Sequence, residues 1–360
     1  MSTAVTQRAI QQALDDAIDA GLTPGAAAAV IDVDAGNDVV VCAGTLNADD
    51  PDDARRLVTP QTVYDLASLT KLLVTTQLIA DDVAAGVIRL DETPWSWWPP
   101  ITVAHALHHT SGLPAHQKFH EQLLLRRREN GTAVGRSAGK DLVVDLVLRT
   151  KPEAAIDERT LYSDLGFIAL GALLEARHQR ALDVLWSSSS HAQGHGARYV
   201  DLEVDGYHPL VPAVAPTERC DWRKRIVQGQ VHDDNAFAMG GVAGHAGLFG
   251  SLDDVVVMAR TMLRRLLDER DVLATFASTR GPRAERALGF DIATPGGSTG
   301  DVLGPHTVGH LGFTGTSLWL DPDARRAYVL LANTVHFGRE GIVARNKALR
   351  VGFHRAAVTR

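Results

Sequence analysis

Ser68 and Lys71 are the two residues whose types and spacing most clearly suggest chemistry, within the stretch DLASLTK at 65–71. From Ser68 to about Ala85 the chain carries recurrent apolar residues without proline or glycine, which predicts a helix that begins at or beside Ser68. Residues three apart share a helix face, so the Lys71 amine can reach the Ser68 hydroxyl. An amine that accepts the serine proton activates a weak nucleophile, and the helix N-terminus favours an oxyanion above it. The spacing therefore predicts an acyl-transferring serine enzyme.

The Ser-x-x-Lys spacing alone is a weak signal, because it occurs twice in this chain. The second copy, from Ser137 to Lys140, lies in a stretch rich in glycine and arginine (129–140) and is predicted to be a surface loop. Ser68 itself could equally be a helix N-cap beside a solvated lysine. Two further motifs are needed to decide between these interpretations.

A tyrosine and an acid two residues apart, Tyr162 and Asp164, precede a predicted helix with apolar residues between 165 and 174. A cation close to a phenol lowers its pKa, so Tyr162 beside Lys71 could take the proton of Ser68 and pass it to the leaving group. The alternative interpretation is a packed tyrosine next to a helix-capping Ser163 or Asp164.

The third motif is the glycine-containing stretch VGHLGFTGTSLW at 308–319, which is strand-like. Glycine lets a substrate backbone approach a strand closely. A backbone N–H of this strand that faces the cleft could form an oxyanion hole together with the amide of Ser68. The alternative is a core strand whose glycines lie at a bulge.

The rest of the chain predicts a sheet built from both ends of the sequence, with helices between them. Strand-like apolar runs predict two β-hairpins: 26–31 with 39–43, and 318–320 with 327–331. Apolar periodicity predicts a first helix that ends at Gly21 and further helices at 103–107, 142–148, 165–174 and 342–358. We expect residues 1–66 and 240–360 to form a discontinuous α/β subdomain and residues 67–239 a mainly helical one. Trp95, Trp97 and Trp98 are expected to pack in the core, the alternative being a wall of the substrate site. The polar stretch at 186–196, with serines at 187–190, is predicted to be a loop.

Composition excludes several classes of protein. The chain has 360 residues, 45% hydrophobic and 22% charged, with a formal net charge of −7, so we expect no nucleic-acid partner. No apolar stretch is long enough for membrane insertion, and the first residues lack the pattern of a signal peptide, which favours a cytoplasmic location. Two cysteines, Cys42 and Cys220, indicate neither a disulfide framework nor a metal cluster. The oligomeric state stays open.

SLTK at 68–71, YSD at 162–164 and HLG at 310–312 occur in the order of the three motifs of penicillin-recognising serine enzymes. The chain resembles the class C β-lactamase, penicillin-binding-protein and DD-peptidase family, and more closely its esterase and aminopeptidase relatives. The stretches ITVAHALHHTSGLP at 101–114, VHDDNA at 231–236 and GGVAGHAGLF at 240–249 strengthen the resemblance. It implies an α+β fold of the β-lactamase/transpeptidase type, with an antiparallel sheet flanked by helices, an all-helical subdomain, and an active-site cleft between them.

The resemblance also implies roles for individual residues. Ser68 would be the nucleophile, Lys71 its proton partner and Tyr162 the general base. Asp164 would orient Lys71 or the substrate amide. The oxyanion hole would consist of the N–H groups of Ser68 and Phe313.

Departures from the family pattern change the expected substrate. Asp164 stands where many relatives have asparagine, which adds a carboxylate that can pair with Lys71. The resemblance places His310 and Gly312 in the substrate-binding site. His310 and Leu311 stand where β-lactamases and DD-peptidases usually have lysine and threonine. A permanent cation and a hydroxyl for a substrate carboxylate are therefore missing. Any role of protonated His310 is expected to depend on pH at around 6 to 7.

The expected function is that of a serine hydrolase that acts through an acyl-serine intermediate on a small ester, amide or peptide-like substrate, without a cofactor. Esters or lactones are favoured over β-lactams. Alternatives are a β-lactamase or DD-peptidase, an acyltransferase that uses the same acyl-enzyme, and a non-catalytic scaffold. The stretch GGSTG at 296–300 matches the nucleophile elbow of another hydrolase class but is predicted to be a loop. The histidines between 105 and 120 lack metal-ligand spacing, so no metal site is predicted.

Overall fold

The computed structural model describes residues 3–48, 56–97, 100–130, 134–205 and 213–358. The helices of these residues are α1 (Thr3–Asp19), α2 (Gln77–Ala84), α3 (Val103–His108), α4 (Phe119–Asn130), α5 (Ser137–Arg149), α6 (Asp164–His178), α7 (Leu182–Ser188), α8 (Asp234–Ala238), α9 (Leu252–Leu266), α10 (Val272–Ser278) and α11 (Ile342–Val358). The strands are β1 (Gly25–Asp32), β2 (Val39–Gly44), β3 (Tyr64–Asp65), β4 (Arg198–Tyr199), β5 (Arg219–Cys220), β6 (Arg225–Ile226), β7 (Leu248–Gly250), β8 (Arg286–Ala287), β9 (Phe290–Ile292), β10 (Val308–Leu311), β11 (Ser317–Asp321) and β12 (Arg326–Ala332).

The largest sheet has seven strands in the order β2-β1-β12-β11-β10-β9-β8, and every neighbouring pair is antiparallel. β1 and β2 form the first predicted hairpin, and β11 and β12 form the second. The first strands of the chain pair with the last, since β1 lies directly beside β12. The expected α+β class with an antiparallel sheet is confirmed.

Helices pack on both faces of this sheet. Successive residues of a strand point to opposite faces, so alternate residues of β1 contact different helices. The even-numbered residues of β1 between 26 and 30 share an apolar cluster with Leu14 of α1 and Phe353 of α11. The odd-numbered residues between 27 and 31 belong to a second cluster, which includes Val255 of α9. The third motif lies on β10, which pairs with β9 on one side and β11 on the other.

The middle of the chain contains most of the remaining helices. Helices α4, α5, α6 and α8 contribute to a further apolar cluster, which also contains Trp97. Trp95 packs against Trp97 with ring centroids 5.2 Å apart, so both have the predicted core role, while Trp98 lies outside the described residues. Short strands β3, β7 and β4 form a small sheet, and β5 pairs with β6. The expected division into residues 1–66 with 240–360 and residues 67–239 stays a prediction.

Two stretches predicted to be loops are partly helical. Residues 137–140 form the first turn of α5, and Lys140 pairs with Glu175 at 2.7 Å. The buried face of α5 begins only at Gly139 and Val143, so its first turn carries no apolar signal. The serine-rich stretch that follows Trp186 continues α7 as far as Ser188.

Candidate active site

Ser68 lies where strand β3 leads into a helix. Ala67 adopts the left-handed backbone conformation (φ 48°), which costs a residue with a Cβ about 1–2 kcal/mol. Its N–H donates to the Asp65 carboxylate at 2.8 Å and stabilises this turn. The helix begins at Leu69, passes through a π-helical segment, Lys71–Thr76, and continues as α2. The predicted helix is confirmed, and its π-helical turn is of a kind that occurs frequently at functional sites.

Ser68 Oγ is the meeting point of the first two motifs. Lys71 Nζ donates to it at 2.9 Å, and the Tyr162 hydroxyl donates to it at 2.7 Å. Lys71 Nζ also lies 2.8 Å from Asp164 Oδ1 and donates to the carbonyl oxygen of His245 at 3.0 Å. Lys71 is completely buried, whereas Ser68 is partly exposed at a cavity. The structure thus brings the four residues predicted as catalytic together around one hydroxyl.

Burial and the Lys71–Asp164 pair set the charges of this cluster. Burial would lower the pKa of Lys71, but the adjacent Asp164 carboxylate and Tyr162 outweigh burial, and the pKa is raised. Burial would raise the pKa of Asp164, but Lys71, together with His116 and His245, outweighs it, and the pKa is lowered. For Tyr162, burial outweighs the lowering by Lys71 and raises the pKa, so the predicted net lowering is wrong. At neutral pH the cluster therefore consists of an ammonium ion, a carboxylate and a neutral phenol.

The third motif places His310 beside the same cluster. The ring centroids of His310 and Tyr162 are 5.9 Å apart. His310 Nδ1 lies 2.9 Å from the carbonyl oxygen of Leu311 and carries the proton, because a carbonyl only accepts. Nε2 is buried and has no hydrogen-bond partner in the described part of the chain. Burial, reinforced by Lys71 and Arg286, lowers the pKa of His310 well below its usual value, so the expected protonation at around pH 6 to 7 is wrong.

The loop that follows β10 is bonded to the segment before Ser68. The Thr314 and Thr316 hydroxyls donate to the backbone carbonyls of Asp65 and Leu66, at 2.9 and 3.2 Å. Gly312 is required at this close approach, because a Cβ there would lie 2.0 Å from Thr316 Oγ1. These contacts fix the third motif relative to the nucleophile.

Ser68 and Phe313 carry the amides expected to form the oxyanion hole. In the part of the chain that the structure describes, neither N–H donates to a backbone carbonyl. The carbonyl oxygen of Phe313 accepts from Asn346 Nδ2 at 2.9 Å, and its ring stacks on His232 with centroids 5.5 Å apart. The oxyanion role of both amides, and the substrate roles of His310 and Gly312, stay predictions.

A cavity of about 590 Å³ opens beside Ser68. Asp164, Asp233 and Asp234 contribute carboxylates to its lining. Cationic side chains come from distant parts of the sequence: Arg286 on β8, Arg339 just before α11, and Lys347 and Arg350 within α11. The cavity therefore presents charges of both signs to a substrate.

Arg286 and Arg350 correct the expectation that the site lacks a permanent cation. The Arg286 guanidinium lies 5.3 Å from the centre of the Tyr162 ring and forms an ion pair with Asp291. Arg350 is 5% exposed and donates to the carbonyl oxygens of the loop after β10. Burial lowers the pKa of Arg350 to about 9, so it remains charged at neutral pH. No motif in the sequence marks either residue, because only the packing of β8 and α11 brings them to the cavity.

Asp164 and Asp233 connect the cluster to two histidines that the sequence did not assign. His116 Nδ1 lies 3.3 Å from Asp164 Oδ2, and His245 Nε2 lies 2.8 Å from Asp233 Oδ1. The hydrogen bond with Asp164 raises the pKa of His116, which is 42% exposed. His116, Asp164 and Asp233 each place one ligand atom within 4.8 Å of the others, and this group could hold a metal ion. Lys71 and His245 already bind the two carboxylates, so a metal ion would compete with both.

The remaining histidines of the 105–120 stretch and the GGSTG stretch take part in local structural contacts or turns. His105 completes a capping box with Thr102 at the start of α3, and His120 stacks on Trp222 with centroids 5.4 Å apart. The stretch at 296–300 forms turns, as predicted for a loop. Among the described helices, none is long and apolar enough to cross a membrane.

Comparison with known proteins identifies the family. The sequence profile of the Beta-lactamase family matches residues 10–352, and the chain belongs to this family. Two similar curated proteins are named putative D-alanyl-D-alanine carboxypeptidase. The one from Salmonella agona is 27% identical over 323 residues (78% of this chain, 71% of the relative), and the one from Escherichia coli K12 is 26% identical over 318 residues (77% and 70%).

Solved structures confirm the β-lactamase/transpeptidase-like fold. EstCE1, described as a hydrolase with promiscuous acyltransferase activity, is 18% identical, with a TM-score of 0.71 over 98% of this chain and 99% of that one. Unliganded simvastatin synthase (LovD) from Aspergillus terreus gives a TM-score of 0.69 at 17% identity over 98% of each chain. A penicillin-binding protein homologue from Pyrococcus abyssi gives 0.67 at 20% identity, over 90% of this chain and 72% of that one.

Proposed function

We propose that the protein is a serine hydrolase that cleaves a small ester or amide through an acyl intermediate on Ser68. The observation that carries this proposal is the pair of hydrogen bonds that Lys71 and Tyr162 donate to Ser68 Oγ, at 2.9 and 2.7 Å. Two donors hold the hydroxyl oxygen in place, but the serine must still lose its own proton to attack. The two donor groups are the groups that can take that proton once one of them is deprotonated.

In this mechanism the reactive state has one proton fewer on the Lys71–Tyr162 pair than the resting state. Ser68 gives its proton to the pair as Oγ attacks the carbonyl carbon, and the pair then protonates the leaving group. The acyl-Ser68 ester is hydrolysed when the pair takes a proton from an attacking water and returns it to Ser68 Oγ as the ester bond breaks. The amides of Ser68 and Phe313 stabilise the oxyanion in both steps. Asp164 opposes the reactive state, because its carboxylate favours protonated Lys71.

Esters with an apolar acyl group are the preferred substrate class. Neutral His310 presents an unprotonated nitrogen, and Leu311 offers no hydroxyl, so neither provides a donor for a substrate carboxylate. An ester needs no such contact. Phe313 and Val343 add apolar surface to the cavity lining and are 41% and 78% exposed.

A D-alanyl-D-alanine carboxypeptidase is the second candidate. Arg286, Lys347 and Arg350 line the cavity and attract a C-terminal carboxylate. The curated relatives carry this name, in each case as putative. An acyltransferase would use the same acyl-enzyme with an acceptor other than water, and a scaffold would form no acyl-enzyme.

Intact-mass spectrometry after incubation with a fluorophosphonate, and separately with benzylpenicillin, tests the proposal. Ser68→Ala removes the proposed nucleophile, and Ser137→Ala is the matched control, because Ser137 belongs to the second Ser-x-x-Lys pattern and is exposed. Fluorophosphonate labelling that is lost only in Ser68→Ala supports an acyl-serine hydrolase. A penicillin adduct on Ser68 favours the carboxypeptidase. No Ser68-dependent adduct with either reagent would reject both and favour the scaffold.

Hydrolysis rates then separate the remaining substrates. Short p-nitrophenyl esters test the ester proposal, and a peptide ending in D-Ala-D-Ala tests the carboxypeptidase. Product analysis with an added alcohol or amine acceptor distinguishes acyl transfer from hydrolysis. The proposed partner is a small molecule, and the cytoplasmic location and the lack of a nucleic-acid partner stay predictions.

A further inference from the structure

His109 is bonded to the main chain on both sides of the tyrosine of the second motif. It caps the C-terminus of α3, has the left-handed conformation (φ 57°, ψ 36°) and is 3% exposed. Its carbonyl oxygen accepts the N–H of Leu161 at 2.9 Å, and its Nδ1 accepts the N–H of Ser163 at 3.0 Å. The two hydrogen bonds bracket Tyr162, whose hydroxyl donates to Ser68 Oγ at 2.7 Å.

The His109 ring also packs on the Tyr162 ring. Their centroids are 4.8 Å apart and their planes are inclined by 37°. The imidazole also contacts the ring of Phe167, with ring centroids 5.3 Å apart, and Phe167 is completely buried in the core. The imidazole thus links the tyrosine side chain to the first turns of α6.

The hydrogen bond to Ser163 requires neutral His109, because Nδ1 can accept only when it is unprotonated. Burial lowers the pKa of His109 well below its usual value, so this form persists at neutral pH. The charged or titratable groups that act on it are Arg286, Lys71, His310 and Asp164; Asp164 raises the pKa and the other three lower it.

Tyr162 depends on such contacts because its own segment has no regular structure. Residues 159–163 belong to no helix or strand, so no backbone ladder holds the tyrosine in place. We propose that His109 is a positioning residue that sets the distance between the Tyr162 hydroxyl and Ser68 Oγ. The inference rests on the proposed acyl-enzyme function, in which Tyr162 shares the Ser68 proton. Misplacement of a reacting group by about 1 Å can reduce a rate about 100-fold.

His109→Asn and His109→Leu separate the acceptor from the apolar volume. Asparagine Oδ1 is as many bonds from Cα as histidine Nδ1, and asparagine tolerates the left-handed conformation, so the hydrogen bond to Ser163 can re-form. Leucine fills part of the volume but accepts no hydrogen bond. We expect kcat for ester hydrolysis to fall about 100-fold in His109→Leu, and less than about 10-fold in His109→Asn, with little change in KM.

The adjacent His108 is the matched control. It is 7% exposed, and its Nε2 bonds to the carbonyl oxygen of Thr279 at 3.2 Å instead of to the tyrosine segment. His108→Leu therefore removes a buried imidazole from the same turn and should leave kcat close to the wild-type value. Thermal unfolding of all variants checks that they are folded. If His109→Leu does not fold, His109→Gln replaces it, because its acceptor lies one bond further from Cα.

A double-mutant cycle with Tyr162→Phe identifies the residue through which His109 acts. If His109 positions Tyr162, His109→Leu causes no further loss of kcat in the Tyr162→Phe background. Independent, multiplicative losses would indicate a general structural role and overturn the inference. Wild-type kcat in His109→Leu, or in Tyr162→Phe, would also overturn it. In the last case fluorophosphonate labelling of Ser68 still decides the acyl-enzyme function separately.

Discussion

Replacement of Asp164 by asparagine should move the pH dependence of hydrolysis to lower pH. Asp164 Oδ1 lies 2.8 Å from Lys71 Nζ, and its negative charge favours the ammonium form and raises the pKa of Lys71. The reactive state has lost one proton, so it becomes populated only at alkaline pH. In Asp164→Asn the charge is gone, and burial lowers the pKa of Lys71 with less opposition.

The size of the shift follows from the distance between the two charges. Unit charges 2.8 Å apart attract by roughly 1.5 kcal/mol at the dielectric constant of water and by roughly 6 kcal/mol at an effective value of about 20. One pKa unit corresponds to about 1.4 kcal/mol. We therefore expect the acid limb of the pH–rate profile to move down by about 1 to 4 units. The asparagine oxygen can still accept a hydrogen bond from Lys71, so the geometry of the cluster is retained.

The assay is kcat/KM for a p-nitrophenyl ester, measured from about pH 5 to about pH 10 and corrected for spontaneous hydrolysis. Asp233→Asn is the charge-matched control, because its carboxylate lines the same cavity but binds His245 instead of Lys71. Its acid limb should move much less than that of Asp164→Asn. An acid limb that stays in place or moves up in Asp164→Asn would refute the reasoning, because deprotonation of Lys71 would then not limit the reaction.

Three other predictions concern stability and the third motif. His310→Lys puts a cation at a buried position on which Lys71 and Arg286 already act electrostatically. The variant should lower the free energy of unfolding by about 3 kcal/mol in urea titrations. Gly312→Ala brings a Cβ to 2.0 Å from Thr316 Oγ1 and should reduce kcat, whereas Gly352→Ala, with no atom within 4 Å, should preserve kcat. Burial would raise the pKa of Glu218, but an adjacent imidazole and guanidinium lower it to about 2. The stability that Glu218 contributes is present above its unfolded pKa of about 4.3 and is lost as pH falls toward 2, so Glu218→Gln should flatten acid unfolding in that range.

The sequence predicts those parts of the site that depend on local spacing. Ser68 and Lys71 are one helical turn apart, so their contact follows from the helix, and the two hairpins follow from alternating apolar runs. Contacts that join distant segments carry no such signal. Arg286 and Arg350 reach the cavity only because β8 and α11 pack around the sheet.

Electrostatics is the other part that spacing does not predict. The sequence motifs predict that Tyr162 has a cationic neighbour, which lowers the pKa of its phenol. They do not predict that the phenol is buried enough for the pKa to rise instead. The same reasoning applies to His310, whose burial removes the charge that its residue type suggests at mildly acidic pH. Burial depends on every element that packs around a side chain, so a local motif cannot give it.

The contacts of the cavity cations rank the two candidate substrates. Arg350 already donates to the carbonyl oxygens of Gly312 and Thr316, and Arg286 is paired with Asp291, so a substrate carboxylate would have to compete with both sets of contacts. Lys347 is exposed, and an ion pair at an exposed site contributes typically less than about 1 kcal/mol. An ester group needs only the proposed Ser68 nucleophile and the predicted oxyanion amides. Arg350 and Arg286 are therefore already bound to the loop after β10 and to Asp291 of β9. This favours the ester as the proposed substrate.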